Sequence, residues 1–237
     1  MTADIIRKEL EKAADSGYAE QAAYFFKTGK GQYGEGDIFI GVRTPDLKAI
    51  IKANHTAATM DDIDELLSSP VHEHRAAAAS ILVHKYTSRK ATEKEKKSYF
   101  DYYIRNGDRF NNWDLVDLSA PKIAGHYLLD KDRGILYTLA KARSMWKRRI
   151  SIVSTHTFIK SGDIDDTFKL SCILFPSGED LMHKAVGWML RETGKIDMKR
   201  LKKFIIEHYE SIPRTALRYA IEKFPENERK KFLKGEF

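Results

Sequence analysis

Trp113 and Asp117 stand four residues apart in the stretch NNWDLVDLS that starts at Asn111. In a helix this spacing puts an indole and a carboxylate on one face, about one turn apart. Trp188 shares a helical face with Lys184 and Arg191 in the same way, so a second indole comes with two cations. A carboxylate flanked by two indole faces, in positive surroundings, suits one task in particular: stabilising a cation that develops on a bound polyanion. Each residue also has an ordinary use when taken alone. A tryptophan is more often packed in a core than placed in a site, and Asp117 could equally be a capping or ion-paired group.

Basic residues supply the surroundings. Lys141, Arg143, Lys147, Arg148 and Arg149 follow one another with no acid between them, and Lys199, Arg200, Lys202 and Lys203 form a second run. A charge run is usually a solvated face. Here, however, Arg149, Lys184, Arg214 and Arg218 fall at similar places in successive repeats, so stacked repeats would bring them to one surface suited to a phosphate backbone. The whole chain of 237 residues carries 41 Lys and Arg against 34 Asp and Glu, a net charge of +7. That balance alone favours a polyanionic partner only weakly.

The elements that must hold these residues are helices. Leu201, Phe204, Ile205 and Tyr209, and again Leu217, Ala220, Ile221 and Phe224, recur at helical spacing, and strand alternation is nearly absent. Segments led by Arg75, Asp114, Arg149, Lys184 and Arg214 repeat at intervals of 39, 35, 35 and 30 residues, with plainer amphipathic segments at 92–106, 132–142, 164–175 and 197–209. Two helices in about 30 to 45 residues is the size of a HEAT-type repeat. The expected architecture is therefore all-α: one domain over residues 1–237, a right-handed solenoid of HEAT-like antiparallel helix pairs with a basic concave groove. Ile150 to Ile159 has the β-branched composition of a buried strand, but its place in the repeat predicts helix. Pro121 should kink the Trp113 helix or end it after Ser119.

Several motifs are set aside. Gly29-Lys-Gly31-Gln-Tyr-Gly34 matches G-x-G-x-x-G, yet it follows a helical stretch rather than a strand, so a flexible loop is expected there. His72 and His74, two residues apart, point away from each other on a helix and read as surface or helix-start residues; no metal is expected. Cys172 is the single cysteine and, within LSCILF, a buried inert thiol. No cofactor motif is present. The longest run free of Asp, Glu, Lys and Arg is ten residues, Ile150 to Ile159, against the roughly 18 needed to span a membrane. With no apolar signal core at the start, a cytoplasmic protein is expected.

The run from Tyr24 through GQYGEGDIFIGVRTP, then NNWDLVDLSAP, WKRRISIV, KAVGWMLRETGK and PRTALRYAIEK, resembles the DNA alkylation repair family of HEAT-like glycosylases, the AlkD type. The resemblance spans roughly residues 20 to 225. It implies a DNA-associated, monofunctional glycosylase acting as a monomer on duplex DNA and releasing cationic purines of the 3-methyladenine and 7-methylguanine type. By the same resemblance the catalytic aspartate matches Asp117, the site tryptophans match Trp113 and Trp188, the phosphate-contacting arginine matches Arg149, and an early aromatic matches Tyr24. Arg148, Lys184, Arg191, Arg214 and Arg218 are the further expected DNA contacts. Asn112 stands where some members carry a second aromatic. The alternative is a non-catalytic helical-repeat scaffold for DNA or protein, which would gain nothing from a carboxylate in a positive groove.

Overall fold

The helix that begins at Trp113 stops at Ser119, two residues before Pro121. Proline has no N–H to donate, and its ring clashes with the preceding turn. Residues Pro121–Gly125 then wind as a single π-turn, closed by the Gly125 N–H donating to the Ala120 carbonyl at 2.8 Å. The break expected at Pro121 is present. The computed structural model describes residues 1–237 and is all-α, with 14 α-helices and one isolated parallel bridge between Ile38 and Val71. It forms two compact units, residues 1–119 and 120–237.

The first unit contains α1 (Thr2–Lys12), α2 (Ser16–Phe25), α3 (Thr44–Asn54), α4 (Met60–Leu67), α5 (His72–Thr87), α6 (Glu93–Arg105) and α7 (Trp113–Ser119). Side chains satisfy the exposed N–H groups where several of these start. Asp15 accepts from the Tyr18 N–H, and Thr59 with Asp62 and Thr92 with Glu95 form reciprocal capping boxes. The core is built around α5, where Ala76 to Ala79, Ile81, Leu82, Val83 and Tyr86 are buried. Such a helix, apolar on every side, needs neighbours all round. Here α1, α3, α4, α6 and α7 provide them.

The second unit contains α8 (Gly134–Ala140), α9 (Met145–Lys160), α10 (Asp165–Leu174), α11 (Asp180–Gly194), α12 (Met198–Glu207), α13 (Arg214–Ala220) and α14 (Glu226–Lys234). Ile150 to Ile159 lies inside α9, so the repeat position outweighs β propensity, and Ile150, Ile152, Val153, Phe158 and Ile159 are buried there. Helix α11 packs against α9, α10, α12 and α13. The five repeat markers fall on α5, α7, α9, α11 and α13, and the four plainer segments contain α6, α8, α10 and α12. Cys172 is half-buried on α10, with its sulfur 3.8 Å from His208 Nε2.

Gly187 sets how closely α11 approaches α13. A Cβ there would lie 2.5 Å from both the Ala216 carbonyl oxygen and the Tyr219 Cβ. Helix propensity alone favours alanine over glycine by about 1 kcal/mol. Overpacking costs about 1–3 kcal/mol, and with a backbone carbonyl in the way the upper part of that range applies. Gly187→Ala should therefore lower unfolding stability in urea titrations; an increase would show that the two helices can separate at little cost.

Candidate functional site

The site in the first unit is assembled at the start of α5. Glu73 is buried, and its carboxylate accepts from the backbone N–H groups of Ile40, Gly41 and Val42 at 2.8–3.2 Å. The Ile38 N–H donates to the Pro70 carbonyl at 3.1 Å, and the His72 N–H donates to the Ile38 carbonyl at 2.8 Å. The segment that follows the glycine loop at residues 29–34 is thus fastened to α5. Gly41 takes φ +82°, and a Cβ on it would lie 2.0 Å from the Asp15 carbonyl oxygen, so only glycine fits.

Fastening this segment delivers Asp37 and Phe39 to the first turn of α5. His72 starts α5, as the helix-start reading has it, but it is 4% exposed and so not a surface residue, and His74 is buried as well. His72 Nε2 donates to Asp114 Oδ2 at 2.9 Å, and its Nδ1 faces Asp37 Oδ2 at 3.6 Å. Asp37 also accepts from Arg75 at 2.6 Å and from the Asn112 amide at 3.0 Å. Burial by itself would push the His72 pKa down, but the Asp114 hydrogen bond and the Asp37 carboxylate outweigh it and raise the pKa to about 9. Burial would likewise raise Asp37, and His72, Arg75 and Asn112 together bring it below its usual range.

This polar cluster abuts a stack of rings. Phe39 stacks on His72 at 4.5 Å, Phe26 on Phe39 at 4.9 Å, and Trp113 on Phe26 at 5.2 Å with the planes 13° apart. The backbone around Trp113 is held too. The Asn112 side-chain oxygen accepts the Trp113 N–H at 2.8 Å, and the next residue, Asp114, is the partner of His72. Asn112 therefore links the Trp113 helix to Asp37. Asp117 follows one turn along α7, half-buried; the pKa of Tyr103 is raised by burial, and the charge of Asp117 adds to the rise. Tyr24 and Phe25 end α2 with 79% and 61% exposure. The Phe25 ring meets Trp113 edge-on at 5.9 Å, and the Lys27 ammonium lies 4.8 Å from the centre of the Tyr24 ring. Phe25, Phe26 and His72 are absent from the sequence-derived set. Tyr24-Phe-Phe26 at a helix end was the available signal for the first two.

In the second unit the expected DNA contacts differ in accessibility. Arg149 is 4% exposed, and its guanidinium donates to the Leu181 carbonyl in the first turn of α11 at 2.9 Å. Arg148 pairs with Glu179 and donates to the Ala142 and Arg143 carbonyls. Lys184 pairs with Asp180 at 2.8 Å, and Arg191 with Glu222 and Glu192. Arg214 donates to the Leu233 carbonyl from an exposed position, and Arg218 is exposed. Trp188 is half-buried with the His156 ring 5.7 Å away. No three His, Cys, Asp or Glu side chains converge as metal ligands.

The profile of the DNA alkylation repair enzyme family matches residues 6–224. Among solved structures, the predicted DNA alkylation repair enzyme from Enterococcus faecalis is similar in fold at a TM-score of 0.69. It is 17% identical, and the superposition covers 90% of this chain and 97% of that one. No curated protein matches the chain.

The His72 cluster makes stability depend on pH in a definite direction. A histidine whose pKa rises from 6.5 to about 9 on folding adds stability that is complete below pH 6.5 and is lost as pH climbs through 9. The contribution is on the order of 3 kcal/mol. Urea unfolding at pH 6.5 and at pH 9.5 should show the loss. Equal stability at the two values would mean that His72 is neutral in the folded protein.

Proposed function

We propose, since the chain belongs to the DNA alkylation repair enzyme family, that it is a monofunctional glycosylase that hydrolyses the N-glycosidic bond of cationic alkylated purines in duplex DNA. The observation that carries this reading is the presentation of Trp113 and Asp117 on α7, with the tryptophan backed by a stack of rings and its helix start tied to buried ions. A purine alkylated at ring nitrogen 3 or 7 already bears a positive charge. When the glycosidic bond breaks, its electron pair passes to the ring and neutralises it, so no strong acid is needed to help the base leave. Positive charge moves to the deoxyribose as an oxocarbenium ion. Water then adds at C1′ and gives up a proton, leaving an abasic site and the free base.

Only groups that bind the charged sugar better than the neutral one accelerate this reaction. Asp117 is assigned that electrostatic role and the positioning of water, and the Trp113 face supports the same charge. Trp188 and the basic residues Arg149, Arg148, Lys184, Arg191, Arg214 and Arg218 of the second unit, with Tyr24 of the first, are assigned to the DNA sugars and phosphates. Arg148, Lys184 and Arg191 now sit in internal ion pairs, and Arg149 and Arg214 on backbone carbonyls, so a phosphate contact by any of these five exchanges one partner for another. No cofactor has a part in this chemistry.

Incubating methylated duplex DNA with the protein should release free 3-methyladenine and 7-methylguanine and leave the strand unbroken at an abasic site. Asp117→Asn should slow release by about a hundred- to a thousandfold, the usual effect of removing one preorganised electrostatic group. Its affinity for DNA should change little. Binding without base release by the wild type would instead identify a scaffold.

A further inference from the structure

We infer that His72 is a positioning residue for Trp113 and Asp117: its ring, set between Asp114 and Asp37, holds the first turn of α7 in the place the reaction needs. The kinetic part of this inference rests on the base-release reading above, and the structural part does not.

The geometry favours a charged ring. One nitrogen meets the Asp114 carboxylate at 2.9 Å and the other faces that of Asp37 at 3.6 Å. A neutral imidazole has one bare lone pair, which would point at a carboxylate on one side or the other. The charges around it also balance only when it is protonated. Asp114 comes from α7, Asp37 from the loop before α3, and Arg75 from α5 itself, so the two acids are matched by Arg75 and His72. The remaining ionisable groups of this turn face elsewhere: Glu73 binds the backbone at residues 40–42, and His74 bonds to the Ser69 hydroxyl at 2.8 Å. Removing the His72 proton leaves a negative charge unmatched in a site where the Asp37 side chain is 4% exposed. The partner able to leave is Asp114, whose side chain is 29% exposed.

Asp114 adjoins Trp113 in the chain, and its departure frees the first turn of α7. Phe26 transmits the same change through space, since it touches the His72 ring at 5.0 Å and the Trp113 ring at 5.2 Å. Asp117 lies one turn further along the same helix. A displacement of about 1 Å in a reacting group can cost on the order of a hundredfold in rate. Deprotonating His72 should thus slow base release even in folded protein.

The test follows two signals from pH 6 to pH 10: single-turnover release of 3-methyladenine from duplex DNA, and 19F resonances of the protein labelled with 5-fluorotryptophan at positions 113, 146 and 188. In wild type the rate should fall about tenfold or more through a midpoint near 9, the pKa raised by the two carboxylates. The Trp113 resonance should move with the same midpoint while that of Trp188 stays still. Asp114→Asn keeps the side-chain shape at a partly exposed position, and it should bring both midpoints down by about 1 unit or more, because an opposite charge has been removed. A rate per folded molecule and a Trp113 resonance that are both flat through pH 9 would overturn the inference, as would midpoints unmoved in Asp114→Asn. If Trp113 titrates as described but no base is released at any pH, the positioning role stands and the glycosylase reading falls.

Discussion

The ion cluster of Asp37, His72, Arg75 and Asp114 is the interaction on which the candidate site depends. Burying a charge is costly, and a buried pair offsets that cost only when each charge has a close opposite and its hydrogen bonds are made. Here two acids and two cations share one place at the start of α5. Three of the segments that shape the site contribute to it: the loop through Asp37, α5 through His72 and Arg75, and the Trp113 helix through Asn112 and Asp114. Apolar packing alone would let these segments slide past one another, since dispersion has little directional preference. The cluster gives them a single register.

The surrounding structure makes such a cluster possible. The first turn of α5 is polar and buried while the rest of the helix is alanine and aliphatic, so the same helix forms the centre of the core and the floor of the site. Glu73 uses its carboxylate on backbone N–H groups, which keeps it out of the charge balance and brings Phe39 against His72. Pro121 ends α7 two turns after it begins, so the helix that carries Trp113 and Asp117 is short; ions and rings hold its start, and the Ser119 hydroxyl at its end donates to the Tyr103 hydroxyl at 2.9 Å. A short helix has little stability of its own. Its orientation must come from neighbours, which explains why ions and stacked rings are concentrated there.

Local properties were legible in the sequence, and properties set by distant partners were not. Apolar spacing is fixed by the helix period, so the helices, the repeat markers and the helical state of Ile150 to Ile159 could be read directly. The Pro121 break follows from proline chemistry, and the shared face of Trp113 and Asp117 from counting residues. The spacing of His72 and His74 places them at a helix start but says nothing of burial, because the partner of His72, Asp114, lies 42 residues away. Asn112 stood out as a missing aromatic, when its use is to bind Asp37 across 75 residues. Arg149 sits in a basic run, and a run cannot tell a solvent-facing cation from one on a buried carbonyl. The apolar residues directly after it, Ile150 and Ile152, were a hint that this turn of α9 faces inward.

The central claim is that a protonated His72 bridges Asp37 and Asp114 and so holds the helix of Trp113. Nitrogen-15 NMR of histidine-labelled protein observes the two ring nitrogens directly. At pH 7.5 both nitrogens of His72 should carry protons, and they should remain protonated at a pH where an ordinary histidine is neutral. A neutral ring at pH 7.5, with one nitrogen bare, would contradict the claim.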